Sequence, residues 1–134
     1  MSDTSQTIGV DVVSAVSVRV RDQEEAVRFY TEKLGFEKRM DADMGGGMRW
    51  ITVAPSGSQT DITFALDNAL REDAIRMGIR TGIIFQTHNL QGTFAAWKER
   101  GVQFLQEPQQ LPWGAWAEFA DQDGNIFGLY ATSL

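Results

Sequence analysis

The sequence states one unit twice, and this internal repeat restricts the possible folds more than any other feature. Arg21 to Glu37 reads RDQEEAVRFYTEKLGFE, and a similar stretch, His88 to Gln103, begins about 67 positions later. In each copy a capping residue, Asp22 or Asn89, precedes apolar residues at helical spacing, and a glycine ends the helix before the next strand. The repeat therefore predicts two similar modules, each with a helix between two strands.

Strand patterns on either side of the helices complete each module. Alternating, β-branched segments are typical of half-buried strands, and they predict an α+β chain of the order βαβββ, linker, βαβββ. We expect one domain with a first module over about 12–66, a linker over about 67–80 and a second module over about 81–132, because halves of this size are marginal alone. The predicted strands are 12–20, 37–43, 48–54, 61–66, 81–87, 102–106, 113–120 and 126–132.

Composition excludes several functional classes. The chain has no cysteine, which removes disulfides, thiolate metal sites and cysteine nucleophiles. Its formal net charge is −6 and its charges are scattered, which argues against a nucleic-acid partner. Mild acidity would help a cationic ligand to approach, or simply keep the protein soluble. The polar N-terminus and the lack of a long apolar run predict no membrane segment and a cytoplasmic location.

Three local features could suggest a phosphate loop, a calcium loop or a histidine ligand, but the residues around each feature argue against these sites. The triple glycine at 45–47 could form a phosphate loop, but strand-like residues follow it, so a flexible hairpin is favoured. The stretch 121–125, DQDGN, resembles the start of a calcium loop but lacks its glutamate and flanking helices, which favours a hairpin turn. The single histidine, His88, is expected in a solvent-exposed loop.

The order of several short motifs resembles that of the vicinal oxygen chelate superfamily, which includes glyoxalase I, the extradiol dioxygenases and the bleomycin-resistance proteins. The motifs are Val-Arg-Asp before the first helix, Phe-Tyr and Leu-Gly-Phe at its end, Gly-Val after the second helix, Pro-Trp-Gly, and Asp-x-Asp-Gly-Asn before the last strand. The resemblance covers roughly residues 14–131. It implies paired βαβββ modules whose strands curve around a cavity, commonly in a homodimer.

Enzymes of this superfamily hold a divalent metal in the cavity, and the resemblance implies where the ligands would fall. Counted from the helix caps, the first-strand ligands fall at Ala15 and Gly82, and the last-strand ligand falls at Gly128. The fourth position lies within 62–66, where no residue is a good ligand. Alanine and glycine have no side-chain donors, so we expect neither a metal nor another cofactor.

The cavity is expected to bind its ligand through aromatic and polar residues instead. Strand alternation places Ser17, Arg19, Gln86 and Tyr130 on the face that carries the empty ligand positions, and Trp50, Trp113 and Trp116 are expected at the rim of the cavity. Aromatic rings stack on planar ligands and attract cations, although each tryptophan could equally pack inside the fold or across a dimer interface. Trp97 is expected in the core, whereas the predicted ligand-binding residues are Ser17, Arg19, Trp50, Phe64, Gln86, Trp113, Trp116, Glu118 and Tyr130.

Two main hypotheses about function follow. The first, favoured by the likeness to the bleomycin-resistance type, is a metal-free homodimer that sequesters an aromatic or cationic natural product, as in antibiotic resistance. The second is a glyoxalase-like lyase or isomerase that lacks the usual metal and uses Glu118 or Tyr130 as acid or base, with Asp61 as another candidate base. A third possibility is a cavity that serves some other metabolite. Replacing Glu118 and Tyr130 together separates the first two, because binding would largely persist whereas turnover would vanish.

Overall fold

Two modules with the same order of elements make up the computed structural model, which describes residues 8–66 and 77–134. The first contains β1 (Ala15–Val20), α1 (Gln23–Arg28), a π-helical turn (Phe29–Lys33), β2 (Glu37–Gly45), β3 (Met48–Ala54) and β4 (Asp61–Leu66). The second contains β5 (Arg80–Gln86), α2 (Leu90–Glu99), β6 (Gln103–Leu111), β7 (Gly114–Ala120) and β8 (Ile126–Ala131). The predicted α+β fold of βαβββ repeats is confirmed. Most of the predicted linker, residues 67–76, lies outside the described residues.

Each module forms its own four-stranded mixed sheet. The strand orders are β1-β4-β3-β2 and β5-β8-β7-β6, with the parallel pairs β1–β4 and β5–β8. The polar strand β2 lies at a sheet edge. The apolar strands β1 and β5 form the opposite edges of their sheets, so within the described residues each has one side without a neighbouring strand.

A single hydrophobic core joins the two modules. Phe36 of the first module meets Phe85 of the second with ring centroids 5.2 Å apart, and Tyr30 meets Phe127 at 6.2 Å. Trp97 on α2 is only 7% exposed, which confirms its predicted place in the core. Neither module therefore has a complete core of its own. No helix among residues 8–66 and 77–134 has the length and apolar character that a membrane span requires.

The turn between β7 and β8 ties the modules together through the buried carboxylate of Asp121. This carboxylate accepts a hydrogen bond from the Tyr30 hydroxyl at 2.6 Å and from the Asn125 side-chain amide at 2.9 Å. It also accepts from the backbone N–H groups of Asp123 and Asn125, at 2.9 and 3.0 Å. Burial raises the pKa of Asp121 although these bonds oppose the rise, and burial likewise raises the pKa of Tyr30. We call Tyr30, Asp121 and Asn125 the inter-module clamp.

Asn125 extends the clamp to two further backbone segments. Its side-chain amide also donates to the carbonyl of Arg19 on β1, and its side-chain oxygen accepts from the N–H of Gly78, at 3.0 and 2.9 Å. The side chain is 1% exposed. The Asp-x-Asp-Gly-Asn motif thus forms a turn between antiparallel strands, as predicted, and its side chains bind the neighbouring module.

Strand β6 is longer than predicted, because it continues to Leu111 and not to Gln106. Pro108 and the surrounding glutamines resemble a loop in sequence. The strand accommodates Pro108 between Gln106 and Gln109, where its pairing with β7 is irregular. Since β6 is an edge strand, a residue without an N–H is tolerated there.

Strand β1 begins at Ala15 and not at Val12, and the residues before it form an exposed segment. We call residues 8–14 the N-terminal arm. Ile8, Val10 and Val12 are 99%, 93% and 46% exposed. The Thr60 hydroxyl donates to the Val13 carbonyl at 2.7 Å, which attaches the end of the arm to the residues before β4. The arm thus presents several apolar side chains to solvent, and Val13 is exposed as well.

Candidate functional site

The predicted ligand-binding residues divide between the two sheets. Ser17 and Arg19 lie on β1 and Trp50 lies on β3, whereas Gln86, Trp116, Glu118 and Tyr130 lie on the second sheet, with Trp113 just before β7. Ser17 is half-buried, Arg19 is buried, and Trp50 is 40% exposed. The aromatic residues of the second sheet contact one another, so this sheet carries the better-defined candidate site.

Phe64 does not line a surface site. Its side chain is 2% exposed, and its ring lies 4.9 Å from that of Tyr30 in the core. Its partner in the parallel β1–β4 register is Val18, which is also buried. This placement corrects the expectation that Phe64 contacts a ligand, because alternation along β4 puts Thr63, and not Phe64, on the opposite face.

Trp113, Trp116 and Tyr130 form an aromatic cluster. Trp113 stacks on Tyr130 with ring centroids 6.1 Å apart and 20° between the ring planes. It meets Trp116 edge to face, at 5.7 Å and 69°. Trp116 and Tyr130 are paired across β7 and β8, and Trp113 is 57% exposed. The cluster therefore presents aromatic surface that a ligand can reach.

Two glycines make room for this cluster. Atom Cζ2 of Trp116 lies 2.7 Å from the place where a Cβ on Gly128 would stand, and its Cη2 lies nearer still. Atom Cε1 of Tyr130 lies 2.7 Å from the corresponding place on Gly114. Trp116 thus occupies the space that a side chain on Gly128 would fill, and Tyr130 occupies the corresponding space at Gly114. In each case the glycine is the diagonal neighbour on the adjacent strand. The position that the family resemblance assigns to a last-strand metal ligand, Gly128, is covered by an indole ring.

Glu118 holds Trp116 in place and is itself ion-paired. One carboxylate oxygen accepts from the Trp116 indole N–H at 3.1 Å, and the other accepts from the Arg80 guanidinium at 2.6 Å. The hydrogen bond from Arg80 is the main reason that the pKa of Glu118 is lowered, although burial opposes it. Asp61, the other candidate carboxylate base, is likewise ion-paired with Arg39, at 3.0 Å. Both carboxylates are engaged, which suits positioning better than proton transfer.

The lowered pKa of Glu118 predicts that the geometry of the aromatic cluster resists acid. Because the pKa of Glu118 is lowered in the folded state, the ionised contact stabilises the folded protein at pH values above the usual glutamate pKa. This stabilisation is lost only as the pH falls through the lowered pKa. We expect the near-ultraviolet circular dichroism of the tryptophans to change with a midpoint below pH of about 4.3. In Glu118→Gln this transition should be absent. A wild-type midpoint above that pH would contradict the ion pair.

The accessible space beside the cluster is small. A shallow cavity of about 160 Å³ is lined by residues that include Gly82, Ile84, Trp116 and Gly128. Pockets for drug-sized ligands usually measure about 300–1,000 Å³. The cavity that one chain forms is thus smaller than such a pocket. A larger open groove, of about 570 Å³, runs along α1, but it is lined mostly by charged side chains and contains no predicted site residue.

The residues at the positions of the family's metal ligands do not fit a metal ion. Ala15, Gly82 and Gly128 have no side-chain donors, and Trp116 covers Gly128. In the part of the chain that the structure describes, no group of three or more His, Asp or Glu side chains is arranged to hold a metal. His88 is exposed in the loop before α2, as predicted.

Comparison with known proteins agrees with the fold. The family model described as Glyoxalase/Bleomycin resistance protein/Dioxygenase superfamily matches residues 12–129. The Bacillus subtilis protein YetH is 38% identical over 117 residues, which are 87% of this chain and 95% of YetH. A superfamily member from Sphaerobacter thermophilus has a TM-score of 0.84 and 35% identity, over 91% of this chain and 98% of its own. TnmS3, an antibiotic binding protein from Streptomyces sp. CB03234, has a TM-score of 0.82 and 34% identity, over 95% of this chain and 100% of its own. The chain therefore belongs to the glyoxalase/bleomycin resistance protein/dioxygenase superfamily.

Proposed function

We propose that the protein binds and sequesters an aromatic small molecule at the aromatic cluster, without a metal ion. The observation that carries this proposal is the aromatic cluster of Trp113, Trp116 and Tyr130, in which Trp113 is exposed and the other two are half-buried, on the face where the family's enzymes hold their metal. Aromatic side chains bury a large area and stack on planar ligands. The likeness to TnmS3, which binds an antibiotic, supports a role in antibiotic resistance.

The state of Glu118 favours binding over catalysis. A general acid or base works best when its pKa lies near the operating pH, whereas the pKa of Glu118 is lowered by Arg80. Its two oxygens already accept from Arg80 and Trp116. In the lyase or isomerase alternative this carboxylate would have to leave both partners before it could take a proton. We therefore assign Glu118 to positioning Trp116.

We further propose that the protein is a homodimer in which a second copy covers the shallow face of the second sheet. Three features support this arrangement: the exposed apolar arm, the sides of β1 and β5 that have no neighbouring strand among residues 8–66 and 77–134, and the 59% exposed Ile84 beside the cavity. A second copy of the chain is the occupant that supplies apolar surface and free strand edges at once. The small size of the cavity in one chain also agrees with a site that two chains complete.

A tryptophan-fluorescence titration tests the proposed function. The probes are a planar polycyclic antibiotic and a bleomycin-type glycopeptide, each with and without added divalent metal. We expect saturable quenching that does not depend on metal. Trp116→Ala should weaken binding about 30-fold, as for a buried aromatic anchor that contributes about 2 kcal/mol.

Trp97→Phe is the matched control, because Trp97 lies in the core away from the cluster and its replacement should leave the affinity unchanged. Absence of quenching by both probes would refute binding of this ligand class. Binding that appears only with added metal would refute the metal-free site.

A further inference from the structure

The residues that line the cavity beside the aromatic cluster indicate which ligand it can bind. Gly82 and Gly128 contribute backbone without side chains, while Ile84 and Trp116 also line it. Ile84 is the register partner of Gly128 across β5 and β8, so these residues are adjacent. Among the described residues, apart from Gly82 and its two chain neighbours, no heavy atom lies within 4 Å of the place where a side chain on Gly82 would begin, so the space above this glycine is open.

The size of the cavity limits the ligand group that can enter. Its volume of about 160 Å³ is close to that of an engineered apolar cavity of about 150 Å³ that binds benzene. One six-membered ring therefore fits in the part of the site that a single chain forms, and the other rings of a larger fused system would lie outside that part, toward the second copy. An inserted ring would lie between the Ile84 side chain and the Trp116 indole, both of which offer apolar contact.

The polar groups of the cavity offer donors and few acceptors. Both oxygens of Glu118 already accept hydrogen bonds, one from Trp116 and one from Arg80. The Arg80 side chain is 65% exposed, whereas that of Glu118 is 15% exposed. A guanidinium carries five N–H donors in a planar fork, so Arg80 can bind a second acceptor while it remains paired with Glu118.

We infer that, within the proposed binding function, this cavity takes a single aromatic ring that carries a carboxylate or another anionic oxygen group. The ring contacts Ile84 and Trp116, and the anion accepts hydrogen bonds from Arg80. The inference narrows the proposed aromatic ligand to an anionic one and replaces the cationic ligand that the sequence also allowed. An anionic ligand is not what the net charge of −6 alone would favour. The charges that make up this total are distributed over the chain and screened by salt, whereas Glu118 beside the cavity is paired with Arg80, so the local contact decides.

Isothermal titration calorimetry with three matched probes tests the inference: 2-naphthoate, 2-naphthamide and 2-naphthylmethylammonium. They share one ring system and differ in charge. We expect the wild type to bind the carboxylate about tenfold more tightly than the amide, as a charge-assisted contact with Arg80 requires, and to bind the ammonium most weakly. In Arg80→Gln the order should reverse, because Glu118 then carries an uncompensated negative charge beside the ring.

Two control variants separate the effect of Arg80 on the charge preference from the effect of net charge and from binding outside the cavity. Lys98→Gln makes the same change in net charge on α2, where Lys98 pairs with Glu107, and should leave the order of the probes unchanged. Ile84→Phe fills the cavity from an exposed position and should abolish binding of all three probes without unfolding the protein.

The outcomes distinguish this inference from the proposed function. If the antibiotics quench the tryptophans but no naphthyl probe binds, the inference fails while the proposed function stands. It also fails if the carboxylate is not preferred, or if Arg80→Gln keeps the wild-type order. If neither the antibiotics nor the naphthyl probes bind, both proposals fail.

Discussion

Replacing Asn125 by alanine should lower the free energy of unfolding by about 3 to 5 kcal/mol, because each buried polar group that loses its partner costs about 1–3 kcal/mol. The substitution leaves three groups short of a partner: the Arg19 carbonyl, the Gly78 N–H and one oxygen of Asp121. These groups belong to separate segments of the chain, so no local rearrangement can restore all three bonds. Urea denaturation followed by circular dichroism measures the loss.

Asn89→Ala is the matched control for this prediction. Asn89 caps α2 by accepting from the Gly92 N–H at 2.9 Å, a contact inside one module. Loss of such a cap costs about 1 kcal/mol. Tyr30→Phe should fall between the two variants, because it removes only the hydroxyl that donates to Asp121. If Asn125→Ala were no more destabilising than Asn89→Ala, the hydrogen bonds of Asn125 would not contribute to joining the modules.

Serine at Ile8, Val10 and Val12 together should weaken the proposed homodimer by roughly a thousandfold. Burial of one such side chain contributes about 1.5–3 kcal/mol, so loss of three apolar contacts exceeds the 4 kcal/mol that this factor represents. All three side chains are exposed in the single chain, so the folded protomer loses little. Analytical ultracentrifugation gives the dissociation constant of the dimer.

A conservative triple variant, Ile8→Val, Val10→Ile and Val12→Ile, keeps the apolar side chains and should dimerise as the wild type does. Wild-type behaviour of the serine variant would show that the arm lies outside the interface. A wild type that is monomeric at micromolar concentration would refute the homodimer itself.

The elements that sequence analysis located correctly are those with short-range signals. Asp22 and Asn89 were predicted as helix caps, and each side chain accepts from a backbone N–H three positions later, at 3.1 and 2.9 Å. Strands β3 and β4 have the predicted bounds, because alternation and turn residues define them locally. Such signals depend on neighbours in the sequence and need no knowledge of the tertiary fold.

The candidate site was predicted less completely, because its contacts join distant residues. Arg80 pairs with Glu118 across two strands, and it was missed because β5 was expected to begin at Thr81. Extending the alternation of Gln86, Ile84 and Gly82 by one more step would have found it. The covering of Gly128 by Trp116 had no sequence signal, because a glycine and a tryptophan on adjacent strands indicate neither an open cavity nor a filled one.

The inter-module clamp also bears on how a duplicated chain can evolve. By the spacing of the repeat, about 66 to 67 positions, the counterparts of Tyr30 and Asp121 are Trp97 and Pro55. A protein made of two first modules would contain the Tyr30 phenol twice and would lack the Asp121 carboxylate. A protein made of two second modules would contain the carboxylate twice and would lack the phenol. The two halves are therefore not interchangeable: a recombination event that replaced one half by a copy of the other would leave a buried polar group of the clamp without its partner.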